Sequence, residues 1–77
     1  SKEHRKKVEL ADIYAEVGDW SKVEYHLVQC NKQKENDPRI IEKLVVLFKE
    51  KRDNKMAAKY EKKLALLKAA TKNKLGN

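Results

Sequence analysis

The sequence predicts an all-α fold, four helices paired as two antiparallel helical hairpins with the last helix extended as a cap. Three observations predict it. Apolar residues recur at helical spacing in four separate segments. Two glycines and one proline in 77 residues, with 40% of the chain charged, leave too few turn residues for a sheet. The breaks between segments are short, and short breaks make consecutive helices antiparallel neighbours. The chain is one domain, of a size at which a single core is marginal. Its 40% hydrophobic content still suffices for a core and sets it apart from disordered chains.

The first helix is carried by Val8, Leu10, Ala11, Ile13, Tyr14 and Val17, which put most of their bulk on one stripe. It stops at Gly18, which takes a positive φ at no steric cost. Asp19 is an N-cap for a second helix from Trp20 to about Lys32, with Trp20, Val23, Leu27 and Cys30 inward. In "QKENDP", Asp37 and Pro38 read as an N-cap and a first-turn proline. The third helix runs to about Lys51 and buries Ile40, Ile41, Leu44, Val45, Leu47 and Phe48. "KRDNK" breaks the chain again, and a fourth helix from about Asn54 to Thr71 turns Met56, Ala57, Tyr60, Leu64 and Leu67 to one face.

Shifted by 34 positions, the chain aligns with itself. Leu10 meets Leu44, Ala11 meets Val45, Tyr14 meets Phe48, Glu16 meets Glu50, Asp19 meets Asp53, Val23 meets Ala57 and Cys30 meets Leu64. Thirty-four is the tetratricopeptide period, and "LADIYAEVGDW" resembles that family's helix-turn-helix pattern. The resemblance spans nearly the whole chain as two tandem units. Repeat one covers about 4–35, repeat two with its capping helix about 37–72, and a basic tail 73–77. It implies a fragment of an α-α superhelix. Lys7 and Ile41 stand where the family often has Trp, Arg52 where it has Gly, and Glu61 where it has an aromatic; Pro38 comes a few residues late. The family's close contact between paired helices uses two small residues. Here the pairs are Ala11 with Val23 and Val45 with Ala57, an inversion that conserves volume.

Charge is concentrated at the ends. Of the net +7, residues 1–7 hold +3 and residues 55–77 hold +6, while 8–54 hold −2. No apolar run reaches the roughly 18 residues of a membrane span, and no secretory h-region precedes the helices. One cysteine, Cys30, excludes an internal disulfide and fits a reducing compartment, so an intracellular, cytoplasmic location is expected. Ser1 stands where an initiator methionine would, and the chain is read as part of a longer protein.

Catalysis is not expected, since the chain has no Gly-rich phosphate loop and no histidine set beside a nucleophile. His26 and Cys30 sit four apart on one helical side, but a structural zinc site takes four ligands, and His4 lies in another helix near its frayed end. Core packing of Cys30 accounts for the pair better, and no metal or cofactor is expected.

The tetratricopeptide resemblance implies a concave, peptide-binding surface lined by the first helix of each repeat. On it the helical wheel places Arg5, Val8, Glu9, Asp12, Ala15 and Glu16, then Arg39, Glu42, Lys43, Val46, Lys49 and Glu50. Val46 is an apolar residue opposite the stripe of its own helix, and with Val8 and Ala15 it forms a candidate contact strip for a protein or peptide partner. The family's chaperone-binding members clamp a C-terminal carboxylate; Val8, Asp12 and Lys43 occupy the matching places. Asp12 would repel that carboxylate, so Hsp70 and Hsp90 tails are not the expected ligands.

The rival class is nucleic acid. The sequence pI near 9.6 raises it, and "IYA…G" also resembles pentatricopeptide RNA-binding repeats, whose period is one residue longer. Two repeats with a slightly acidic body do not read bases as those arrays do. What is left is the lysine face of the fourth helix, Lys55, Lys59, Lys62 and Lys63 with Leu66 among them, which could contact phosphates weakly or serve as a solvated cap.

Overall fold

Each of the last three helices starts on an aspartate. In the computed structural model, which describes the backbone of residues 2–76 and the side chains of 2–71, α1 spans Lys2–Glu16, α2 Trp20–Gln33, α3 Pro38–Glu50 and α4 Asn54–Gly76. Asp19 accepts from the Lys22 amide (3.4 Å), Asp37 from Arg39 (3.0 Å) and Asp53 from Met56 (3.1 Å). Each carboxylate satisfies one of the orphan N–H groups at a helix start and sits favourably at the positive end of the helix dipole. Among the described residues there is no strand.

The residue before each of these caps is left-handed. Gly18 has φ +75°, Asn36 +65° and Arg52 +60°. At the first and third breaks the bonding is the same. The Asp19 amide donates to the Tyr14 carbonyl (3.0 Å) and Gly18 to Ala15 (3.1 Å); Asp53 donates to Phe48 (2.8 Å) and Arg52 to Lys49 (3.0 Å). This is the paired 6→1 and 5→2 bonding that ends many helices, and it normally selects glycine for the left-handed position. Arg52 takes that conformation without being glycine.

The correspondence at spacing 34 reaches the side chains. Tyr14 stacks on His26 with centroids 5.6 Å apart and planes 6° from parallel. Phe48 stacks on Tyr60 at 5.7 Å and 8°. In both cases an aromatic near the end of one helix meets a ring in the second turn of the next.

Consecutive helices pack together, α1 on α2, α2 on α3 and α3 on α4. One apolar cluster joins Ala11 of α1, Val23, Leu27 and Cys30 of α2, five residues of α3 and Ala57 of α4. The expected face of α3 is buried in full, Ile40, Ile41, Leu44, Val45, Leu47 and Phe48. Met56, Tyr60, Leu64 and Leu67 pack partly buried against the cluster from α4. Ion pairs lace the outside: Asp12 with Lys43 (2.7 Å) links α1 to α3, Lys49 with Glu61 (3.3 Å) links α3 to α4, and Glu24 with Lys51 links α2 to α3.

Three expectations change. The stripe on α1 is narrower than expected, because Ile13 is 57% exposed and Val17 75%. Their counterparts at spacing 34 are Leu47, buried, and Lys51, which pairs with Glu24 of α2. That flank of α3 is turned to α2, and among the described residues no helix covers the same flank of α1. His4, expected to be frayed, is 8% exposed. The backbone of α4 continues as helix through Gly76, past Thr71 and into the expected tail; the side chains of that tail, Lys74 included, lie outside the described residues.

Candidate functional site

The small side chains of α1 leave room beside α3. Ala11 and Ala15, at i and i+4 on α1, face an opening whose far wall is Lys43 and Val46 of α3 and whose floor is Trp20, Val23 and Leu27 of α2. The resulting cleft holds about 180 Å³ and is mostly apolar. The Asp12–Lys43 bridge crosses between its walls. Both partners are substantially exposed, so the bridge adds little to stability. Val46, 51% exposed, stands at the lip.

Past the lip, Arg39, Glu42, Lys43 and Val46 line a shallow depression along α3. Beyond Arg39 lies a basin of about 450 Å³ lined by Lys2, His4, Arg5, Val8, Lys34 and Arg39. Shared residues make the three depressions one furrow: Lys43 and Val46 belong to the first two, Arg39 to the last two.

The basin is organised by Asp37, which is buried beneath it at 6% exposure. One carboxylate oxygen accepts from the Arg39 amide (3.0 Å) and Nε (3.4 Å), and the other accepts from Arg39 Nη2 (3.3 Å). That second oxygen also lies 3.8 Å from Lys34 Nζ and 3.8 Å from His4 Nε2. Burial pushes the Asp37 carboxyl upward, but hydrogen bonds from Arg39 and the charges of Arg39 and Lys34 outweigh it and hold the group below the usual carboxylate range.

Most of the wheel's concave set lines this furrow. Asp12, Ala15, Lys43 and Val46 line the cleft, Glu42 and Arg39 the middle, and Arg5 and Val8 the basin. Val8 is thereby separated from the apolar strip it was grouped with. Lys49 lines none of the three and pairs instead with Glu61. The wheel angle alone cannot distinguish these cases, since Lys49 lies at the edge of the arc where α4 arrives. Seven lining residues lie outside the expected concave set: Ala11, Trp20, Val23 and Leu27 in the cleft, and Lys2, His4 and Lys34 in the basin. The first four read from periodicity as core, and the other three depend on where α1 and α2 end relative to α3.

On α4, Lys55, Lys59 and Lys62 are exposed and Lys63 is half-buried, with Lys59 Nζ 5.7 Å from the Tyr60 ring centroid. Leu66 is 63% exposed beside them. Cys30 is fully buried, and burial raises its thiol pKa against the opposing charge of Lys7, which makes it a poor nucleophile. Among the described residues no group of three or more His, Cys, Asp and Glu could hold a metal, and no helix is long and apolar enough to cross a membrane.

No protein-family model, curated protein or solved structure matches this chain.

Proposed function

We propose that the chain is a non-catalytic interaction module, a pair of tetratricopeptide-like hairpins that holds a partner peptide or helix in the furrow between α1 and α3. The observation that carries this is the apolar cleft over α2, open to solvent and edged by an exposed valine. Surface apolar residues are common singly. A concave apolar floor flanked by a few polar groups is the usual form of a recognition site. The bond-for-bond match of the two junctions at spacing 34 supports the hairpin-repeat architecture. A buried, unreactive Cys30 agrees with a scaffold role in a reducing compartment such as the cytoplasm.

Trp20, the one tryptophan, lies in the cleft floor and reports on its occupancy. Random peptides displayed on phage would be selected on the immobilised chain and titrated by Trp20 emission. Selected peptides should lose binding to Val46→Asp, which puts a charge at the lip, and keep it in a Lys59→Glu/Lys63→Glu double variant. Peptides indifferent to Val46→Asp would overturn the reading.

The competing reading, a basic RNA-associated helical module, is favoured by the exposed lysines of α4 and the net charge of +7. It requires that the same lysine reversals abolish binding of short single-stranded RNA, with log affinity falling steeply against log salt. The acidic body predicts that any such binding is weak and vanishes at physiological ionic strength, where charges are screened within about 8 Å.

A further inference from the structure

The furrow is chemically uneven. Its cleft end is apolar, built from Ala15, Trp20 and Val46. Its middle carries both signs, with Asp12, Glu42 and Lys43. Its basin end is cationic: four of the six lining residues are Lys2, Arg5, Lys34 and Arg39, and His4 is a fifth basic group. Asp37 is the carboxylate paired with Lys34 and Arg39, and the four Lys and Arg of the lining outnumber it by three.

We infer that the basin is an anion subsite, and that the furrow takes an acidic peptide whose carboxylates sit among Arg5, Lys34 and Arg39 while an apolar side chain enters the cleft. The inference rests on the furrow being the interaction face and adds the chemistry of the partner. Three features support it. First, Asp37 pairs with Arg39 and lies 3.8 Å from Lys34, which gathers these two cations on one side of the basin before any ligand arrives. Second, Arg5 enters from α1, so cations from three parts of the chain (α1, the end of α2 and the start of α3) surround one volume. Third, the residues between basin and cleft favour a peptide over a nucleic acid. A nucleic acid has a negative charge at every nucleotide and would lie against Asp12 and Glu42, whereas a peptide can carry charge at one end and an apolar side chain at the other.

The test uses the whole chain, labelled with ¹⁵N, and a fluorescein-labelled peptide series. A block of aspartates is joined to a pair of leucines by Gly-Ser spacers of increasing length, and a control series has serine in place of aspartate. At low salt one spacer length should bind best and shift the amides of Arg5 and Arg39 together with those of Ala15 and Val46. Serine controls should bind at least about tenfold more weakly, the value of one charge-assisted hydrogen bond. Arg5→Glu should weaken the aspartate series by a similar factor and leave the controls unchanged. Arg5 is exposed, so this variant keeps the fold; Arg39→Gln, which retains a donor beside Asp37, is the second probe and should weaken binding less.

Equal affinity for the aspartate and serine series, with the cleft amides still shifted, would overturn the anion subsite and leave the interaction face standing. No binding by either series would overturn the inference, and the interaction face would then stand or fall on the phage selection. Oligo-uridine RNA that shifts the basin amides at concentrations equal to or below those of the peptide would also overturn it, in favour of a nucleic-acid ligand.

Discussion

Exchanging the residue types at the two matched junctions should change stability in opposite directions. Gly18 and Arg52 occupy equivalent positions, with φ of +75° and +60° and the same pair of backbone hydrogen bonds around them. A Cβ added to Gly18 would meet no atom within 4 Å, so Gly18→Ala changes only the backbone energetics. Holding a residue with a Cβ in the left-handed region costs roughly 1–2 kcal/mol. Removing glycine's freedom from the unfolded chain returns about 0.4–1 kcal/mol. Gly18→Ala should therefore destabilise by about 1 kcal/mol. Arg52→Gly runs the balance in reverse and should stabilise by about 0.5–1 kcal/mol, since the exposed Arg52 side chain gives up little packing. For a domain of this size 1 kcal/mol moves Tm by roughly 4–8 °C. Thermal melts followed by far-ultraviolet circular dichroism would resolve either shift, with urea midpoints as a second measure. The junctions share no partners, so the double variant should melt close to wild type. A lower Tm for Arg52→Gly would refute the reasoning, because it would mean that Arg52 contributes more through its side chain than its backbone conformation costs.

Four further outcomes concern the core and the Asp37 cluster. Asp37→Ala should cost about 0.5–2 kcal/mol for the lost cap. The native Asp37 carboxyl titrates below its ordinary value of 3.8, so its contribution is complete above that value and is lost as pH falls through the native one; the acid limb of a pH–stability profile should be shallower in Asp37→Asn, and an unchanged limb would contradict the assignment. Val45→Ala should cost roughly 1–3 kcal/mol by removing buried methyls, and adding Ala57→Val should recover part of it if the two face each other, as read by urea melts of both variants. Residues 1–53 alone should lose cooperative melting by circular dichroism, because Phe48 and Ala57 share one cluster and α4 covers that side of α3; a sharp transition for this fragment would refute it.

The helices were legible because their ends carry side-chain chemistry: Asp19 and Asp37 cap, Gly18 stops and Pro38 opens, while Asp53 stood out only as the counterpart of Asp19 at spacing 34. The core of α3 was equally plain, since a strongly one-sided helix has one way to hide its apolar face. Ile13 and Val17 were misplaced for the complementary reason. A helical wheel gives the direction of an apolar arc but not whether a neighbour lies along it, and nothing local to α1 records the absence of a helix on that flank. The furrow was half legible. Its walls follow from periodicity in α1 and α3, while the basin depends on the start of α1 returning to the start of α3. That is a tertiary coincidence of His4 with Lys34 and Asp37, which follow it 30 and 33 positions later in the chain. Arg52 was legible only as a departure from a pattern; the Asp53 cap and the paired backbone bonds to Phe48 and Lys49 keep the turn in place despite it.

The nearest-neighbour packing of the helices also sets an order in which the chain should come apart. Inner helices α2 and α3 are covered on two sides, whereas α1 has a bare flank at Ile13 and Val17 and α4 packs on α3 alone among the described residues. Opening free energies in such a stack grade from the outside inward. Amide protons of the outer helices α1 and α4 should exchange with solvent through partial opening of the stack. Those of Leu44 to Phe48 should wait for global unfolding, which makes α3 the kinetic keystone of the molecule.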